Sequence, residues 1–173
     1  MKKVLFSFML IVLMLSTGCE KIGKVGDYKE GTYFAYDEDS NYTVTMYVDD
    51  TGHIKSVLFD AAYLSGCATR GVIDDTCTLT TKRGLGDEYG MARVSDVGEW
   101  YEQVDNFSKK VIDEQGIDWL VLKYKDADGK ITSEKPADKE EKDKVYTDTV
   151  SGVTIVVDNL EKLMNNVLTQ AKK

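Results

Sequence analysis

Two runs rich in β-branched and aromatic residues, joined by a four-residue turn, constrain this chain most. Tyr42 to Val48 alternates, with Tyr42, Val44, Met46 and Val48 on one face and Thr43, Thr45 and Tyr47 on the other. That is the period of a strand with one buried side. Asp49-Asp50-Thr51-Gly52 reads as a hairpin turn, and Ile54 to Ala62 returns as a strand apolar on both faces, as expected of a central one. Gly31 to Tyr36, short and aromatic-rich, is expected to add another strand.

Helical periodicity appears only further along. Ser65 to Arg93 is loop-like, with Gly at 66, 71, 84, 86 and 90, and so long an irregular segment is more often functional than idle. Trp100, Val104, Phe107 and Val111 then recur at helical spacing, with Asp96 and Glu99 placed as a capping box and Gly116 as a stop. Ile117 to Tyr124 reads as a strand, and Asp126 to Lys144, dominated by Lys, Asp and Glu, as a solvated excursion. Val153 to Val157 suits a buried strand. A last helix is expected from Asp158, with Glu161 closing a second capping box and Leu160, Leu163, Val167, Leu168 and Ala171 inward. The order of elements predicts an α+β domain, an antiparallel or mixed sheet with helices packed on it.

Charge and composition exclude several functions. With 173 residues the chain makes one ordinary domain, and its formal charge of −8 disfavours nucleic acid as a partner. A single His and three Cys without a CxxC disfavour zinc, iron–sulfur and Ser-His-Asp chemistry. Asp126-Ala127-Asp128-Gly129-Lys130-Ile131 has the middle of an EF-hand loop but neither anchoring acid, so it reads as a turn between strands and no metal is expected. His53, next to the turn glycine, reads as an exposed turn residue.

The N-terminus carries an address. Lys2 and Lys3 precede an apolar run from Val4 to Leu15, long enough for a signal peptide and short of the roughly 20 residues of a membrane span. Leu15-Ser16-Thr17-Gly18-Cys19 resembles a bacterial lipobox, which implies cleavage before Cys19 and a diacylglycerol with palmitate-type acyl chains on its thiol. An ordinary secretory leader followed by an incidental Cys is the alternative. Residues 1–18 are then signal peptide, 19–28 a flexible tether and 29–173 the domain. The processed chain carries 20 basic against 30 acidic side chains, so acyl chains rather than protein charge are expected to hold it to anionic lipid. In an exported protein Cys67 and Cys77 can form a disulfide worth about 2–3 kcal/mol; two unpaired buried thiols are the other reading.

The string Asp148-Thr149-Val150-Ser151-Gly152-Val153-Thr154 carries the most chemistry. By periodicity alone it is a turn feeding a core strand, and its Ser-Gly bend offers backbone N–H groups as an anion cradle. It is also similar to the Asp-x-x-Ser/Thr-Gly-Ala-Thr signature of FMN-binding domains modified by flavin transferases. The departure is Val153 in place of Ala, which adds bulk beside the acceptor. Gly31-Thr32-Tyr33, Asp50-Thr51-Gly52-His53-Ile54, Gly84 to Met91 and Glu99-Trp100-Tyr101-Glu102-Gln103 resemble the lipoprotein branch of that family, so the likeness runs from about Gly31 to the C-terminus. Its members include subunits of sodium-pumping quinone reductases and Rnf complexes and the flavin lipoproteins of extracellular electron transfer.

The resemblance implies FMN joined to Thr154 as a phosphoester, with Asp148, Ser151 and Gly152 as recognition and positioning residues and Tyr89 and Met91 as ring contacts; the last two serve equally well as packing residues. It further implies a flavin transferase as modifying enzyme, a quinone-linked membrane donor, an extracellular acceptor and a place on the outer face of the membrane. Electron transfer rather than substrate turnover is the expected activity. A non-redox lipoprotein of the same fold, acting as a binding or sensory module, is the alternative. If Cys19 is the anchor, cell fractionation will find the wild-type protein with membranes and the Cys19→Ser protein released from them.

Overall fold

The hairpin expected around Asp49–Gly52 is the centre of the sheet. A computed structural model describes residues 26–65 and 77–173. Strands β1 (Gly31–Asp37), β2 (Tyr42–Val48), β3 (Ile54–Ser65) and β4 (Thr78–Thr81) form, among the described residues, an antiparallel sheet in the order β1-β2-β3-β4. Gly52 turns the hairpin at φ +84, a left-handed conformation that costs a glycine little. His53 lies half-buried on this turn, its Nδ1 2.8 Å from Thr51 Oγ1.

The β3 strand is interior to the sheet but is not buried on both faces. The pairing shifts between Tyr47 and Val48, so that Val48 faces Ile54 while Tyr47 faces Ser56, and Lys55 is the extra residue of a bulge. Across it the alternation changes phase: Ile54 is buried, and so are Val57, Phe59 and Ala61, while Leu58 is exposed. The apparent two-faced strand is one buried face interrupted by a bulge. The side chain of Gln115 secures this place, taking the Ile54 N–H on Oε1 at 2.7 Å and giving Nε2 to the Ile54 carbonyl at 3.0 Å.

Helix α1 (Lys82–Leu85) and two 3₁₀ turns, Gly86–Tyr89 and Met91–Arg93, occupy much of the stretch expected to be loop, after the additional strand β4. Helix α2 (Trp100–Glu114) packs on β3 through Trp100, Val104, Phe107 and Val111, all buried. Its cap is one turn later than expected: the box begins at Glu99, whose N–H donates to Glu102 Oε2 at 2.7 Å. Gln115 at φ +56 ends the helix, and Gly116 follows it with its N–H on the Val111 carbonyl. Phe107 stands edge-on to Phe59 with ring centroids 5.8 Å apart. Burial of a ring that size contributes about 1.5–3 kcal/mol.

Of the strand expected at Ile117 to Tyr124, only Tyr124 lies in one, with Lys123 forming an isolated bridge to Tyr146. Tyr124–Lys125 (β5) pairs with Ile131–Thr132 (β6), and Asp126 Oδ1 accepts from the Asp128 and Lys130 N–H groups to close the turn between them. Val153 to Val157 is irregular rather than a strand, although Val153 and Val157 are buried. Helix α3 (Asp158–Ala171) starts where expected but has no side-chain cap; Leu160, Leu163, Met164, Val167 and Ala171 lie against β1 and β2. Residues 26–28, expected to belong to the tether, are bonded to the domain. Gly26 donates to Thr51 O, Tyr28 bridges to Lys172, and Lys29 donates to Ala171 O.

Asp37, at the end of β1, is 6% exposed and pairs with Lys162 of α3 while accepting from Ser40 Oγ at 2.5 Å. The hydrogen bonds from Lys162 and Ser40 hold its carboxyl below the usual range, and Asp37 in turn raises Lys162. A depressed carboxylate adds stability above its unfolded pKa of about 3.9 and loses it as pH falls through the folded value. Asp37→Asn is therefore expected to lower the melting temperature at pH 7, with the gap to wild type closing in acid; differential scanning calorimetry across pH reads both.

Candidate functional site

A polar residue in the apolar stripe of α2 organises the site. Gln103 is fully buried, and a buried amide needs partners for both ends. Its Nε2 donates to Ser95 Oγ at 3.1 Å and to the Gly98 carbonyl at 3.2 Å. Its Oε1 accepts from Thr154 N at 2.9 Å, Ile155 N at 3.1 Å and Thr154 Oγ1 at 3.3 Å. One side chain thereby joins the turn before α2 to the segment before α3. Glu99 does the same work one turn earlier, its carboxylate taking the Met91 and Ala92 N–H groups at 2.8 and 3.0 Å.

The string from Asp148 to Thr154 is a loop that reaches this clamp. Lys123 Nζ lies 2.7 Å from Asp148 Oδ2 at the loop's base, and Val153 N closes a turn onto Val150 O at 3.3 Å. Gly152 adopts φ +75, a left-handed conformation that favours glycine, and a Cβ there would displace the Asn106 amide, which lies 2.6 Å from its place. Val153 points into the core at 2% exposed, whereas Thr154 is exposed. The Val153 side chain therefore serves core packing, while Thr154 faces outward. The amides of Thr154 and Ile155, which follow the Ser151–Gly152 bend, are both taken by Gln103.

Thr154 lies on the wall of a cleft of about 560 Å³, within the range of small-molecule sites. Trp100, Met91 and Ile155 supply apolar surface, and Lys82, Asp96 and Lys125 supply charge. Lys82 is the half-buried cation among them. Its Nζ donates to Tyr42 Oη at 2.8 Å and stands 4.8, 5.3 and 5.2 Å from the ring centroids of Tyr42, Tyr89 and Trp100. Burial works against its charge, but the hydroxyls of Tyr42 and Tyr89 leave its pKa above the ordinary lysine value. Trp100 Nε1 is buried with no hydrogen-bond partner.

Of the residues singled out in the sequence, the cleft brings together Thr154 and Met91. Tyr89 stands behind it, under the Lys82 ammonium and edge-on to Tyr63 at 5.4 Å. Ser151 and Gly152 line a neighbouring recess with Asn106 and Lys109, and Asp148 is occupied by its ion pair. Cys77 is disulfide-bonded; Cys67 and Cys19 lie outside the described residues. Gln103 and Lys82 were not singled out. The signal for Gln103 was a polar residue at the i+3 position of a buried stripe, whereas Lys82 had no local signal.

No family model, no curated protein and no solved structure matches the chain. The described residues contain no helix long and apolar enough to cross a membrane.

Gln103→Leu leaves the Thr154 and Ile155 donors without an acceptor inside the fold. It is expected to destabilise the protein by about 1–3 kcal/mol in urea unfolding. Amide exchange at Thr154 and Ile155 should quicken by more than at Val44 and Met46 in β2, where it follows only the loss of global stability.

Proposed function

We propose that this protein is a lipid-anchored, extracytoplasmic electron carrier whose FMN is joined to Thr154. The observation that carries the reading is the exposed Thr154 side chain, with its backbone fastened by buried Gln103, on the wall of a cleft with an aromatic floor and a half-buried cation. These residues fit the group: a hydroxyl acceptor, apolar surface for a planar ring and positive charge for an anionic ligand. The likeness of Asp148 to Thr154 to the flavin-attachment signature supports it independently.

In the attachment step the Thr154 oxygen forms a bond to the FMN phosphorus of FAD. The phosphoanhydride bond breaks, AMP leaves, and the hydroxyl proton passes to a base of the flavin transferase. The transferase supplies the metal and the catalytic groups. Gln103 holds the Thr154 backbone, and the hydroxyl leaves its long contact with Gln103 to meet the transferase base; Asp148, Ser151 and Gly152 present the loop for recognition. Bound FMN supplies one- and two-electron redox chemistry, and the cleft walls position it and limit water. Covalent attachment suits an exported carrier, since a dissociated cofactor would be lost outside the cell. A quinone-linked membrane donor and an extracellular acceptor complete the proposed route.

Co-expression with a flavin transferase, followed by a denaturing gel viewed for flavin fluorescence, tests this reading. The wild-type band is expected to glow and the Thr154→Val band to be dark, with both proteins folded by circular dichroism. Val retains the β-branched shape, and the hydroxyl it removes makes only the 3.3 Å bond to Gln103, so little stability is at stake. A dark wild-type band favours the binding or sensory module instead.

A further inference from the structure

Lys82 is a half-buried ammonium whose polar partners are tyrosines, and no carboxylate pairs with it among the described residues. The tyrosine hydroxyls outweigh the burial that works against its charge, and three rings surround it, so it stands there as a cation. The same rings hold the ammonium in one place, and it faces the cleft that Thr154 lines.

We propose that Lys82 raises the reduction potential of the flavin by pairing with the negative charge that reduction leaves on the pyrimidine edge of the ring. This rests on FMN being joined to Thr154. Attachment favours the ring over the phosphate as the partner, because the phosphoester keeps the phosphate on Thr154. Gln103, which bonds to Thr154, and Trp100 are three residues apart on one face of α2, about 5–6 Å between Cβ atoms. The Lys82 ammonium lies a further 5.2 Å from the Trp100 ring. Lys82 and Thr154 thus line the same cleft from different elements, α1 and the segment before α3. The phosphate belongs at the Thr154 end, and the ring arrives at Lys82.

The charge balance is simple. Two electrons from a reductant such as dithionite and one proton, taken up at N5, convert the neutral oxidised ring to a reduced ring carrying one negative charge, shared between N1 and the neighbouring carbonyl oxygen. A fixed cation in a partly dry cleft favours that product more than water would. Lys125, exposed on the same cleft and standing over Tyr146 at 5.2 Å, is screened and contributes far less.

The experiment uses flavin-loaded full-length protein and reads the reduced-to-oxidised ratio by absorbance against a reference dye at fixed poise. Lys82→Gln is expected to lower that ratio about tenfold or more, which is about 30 mV for a two-electron couple. Lys82→Arg should stay within about threefold of wild type and Lys125→Gln within about twofold. A folded, fluorescent Lys82→Gln protein with an unchanged ratio overturns the proposal and leaves the flavoprotein reading standing. A folded Lys82→Gln protein that stays dark assigns Lys82 to the phosphate and also overturns it. A dark wild-type protein removes both readings together. Should Lys82→Gln fail to fold, Lys82→Met, which keeps the side-chain length against the rings and removes the charge, is read in the same way, and an unchanged ratio there overturns the proposal equally.

Discussion

The amide of Gln103 is the interaction on which the rest of the site depends. It is enclosed by the core, so its hydrogen bonds are exchanged against desolvation rather than against water, and leaving any of them unmade is expensive. Its two ends reach in opposite directions, to Ser95 and Gly98 before α2 and to Thr154 and Ile155 before α3. Two irregular segments, neither held by a sheet ladder, are thereby fixed relative to one helix. The cleft between them has a defined wall because this side chain satisfies both.

The sheet imposes the next constraint. Helices α2 and α3 both lie on the face that carries Val44, Met46, Phe59 and Ala61, while the opposite face leaves Phe34, Tyr36, Tyr47 and Leu58 open. All the burial available to α2 and α3 is on one side, so their N-terminal regions emerge near one another. Trp100 and Gln103 from α2 and Ile155 before α3 meet there. Lys82 joins them from α1, whose place is set by its contacts with β3 and α2 and by the Arg83–Asp105 ion pair at 2.7 Å. The ammonium and its aromatic cage are thus products of sheet geometry and helix packing together.

Much of the framework was legible. Alternation in Tyr42–Val48 and the stripe of Trp100, Val104, Phe107 and Val111 are local periodicities, and the elements formed where they indicated. The misreadings share a cause. Lys55 is one residue too many in the ladder, so period-two reading across it mixed two phases and made β3 look buried on both sides. Val153 to Val157 has strand composition but no strand to pair with, because its amides are taken by Gln103 and by Val145 O. The capping boxes were misplaced because Asp96 and Asp158 have the right chemistry, whereas the entry angle of each helix decides which side chain reaches the free amides.

By itself the sequence determined the α+β class, the hairpin, the inward faces of both long helices and the string ending in Thr154, since each of these lies within a few neighbouring residues. Tertiary structure alone decided that Thr154 is exposed while Val153 is buried, that one buried amide holds the Thr154 backbone, and that Lys82 sits among three rings contributed by β2, by the 3₁₀ turn before Gly90 and by α2. Gln103 and Thr154 are 51 positions apart, and Lys82 and Tyr42 are 40 apart. No local pattern encodes such pairs, because they form only when the sheet and helices bury their apolar faces and bring distant polar groups within hydrogen-bonding distance.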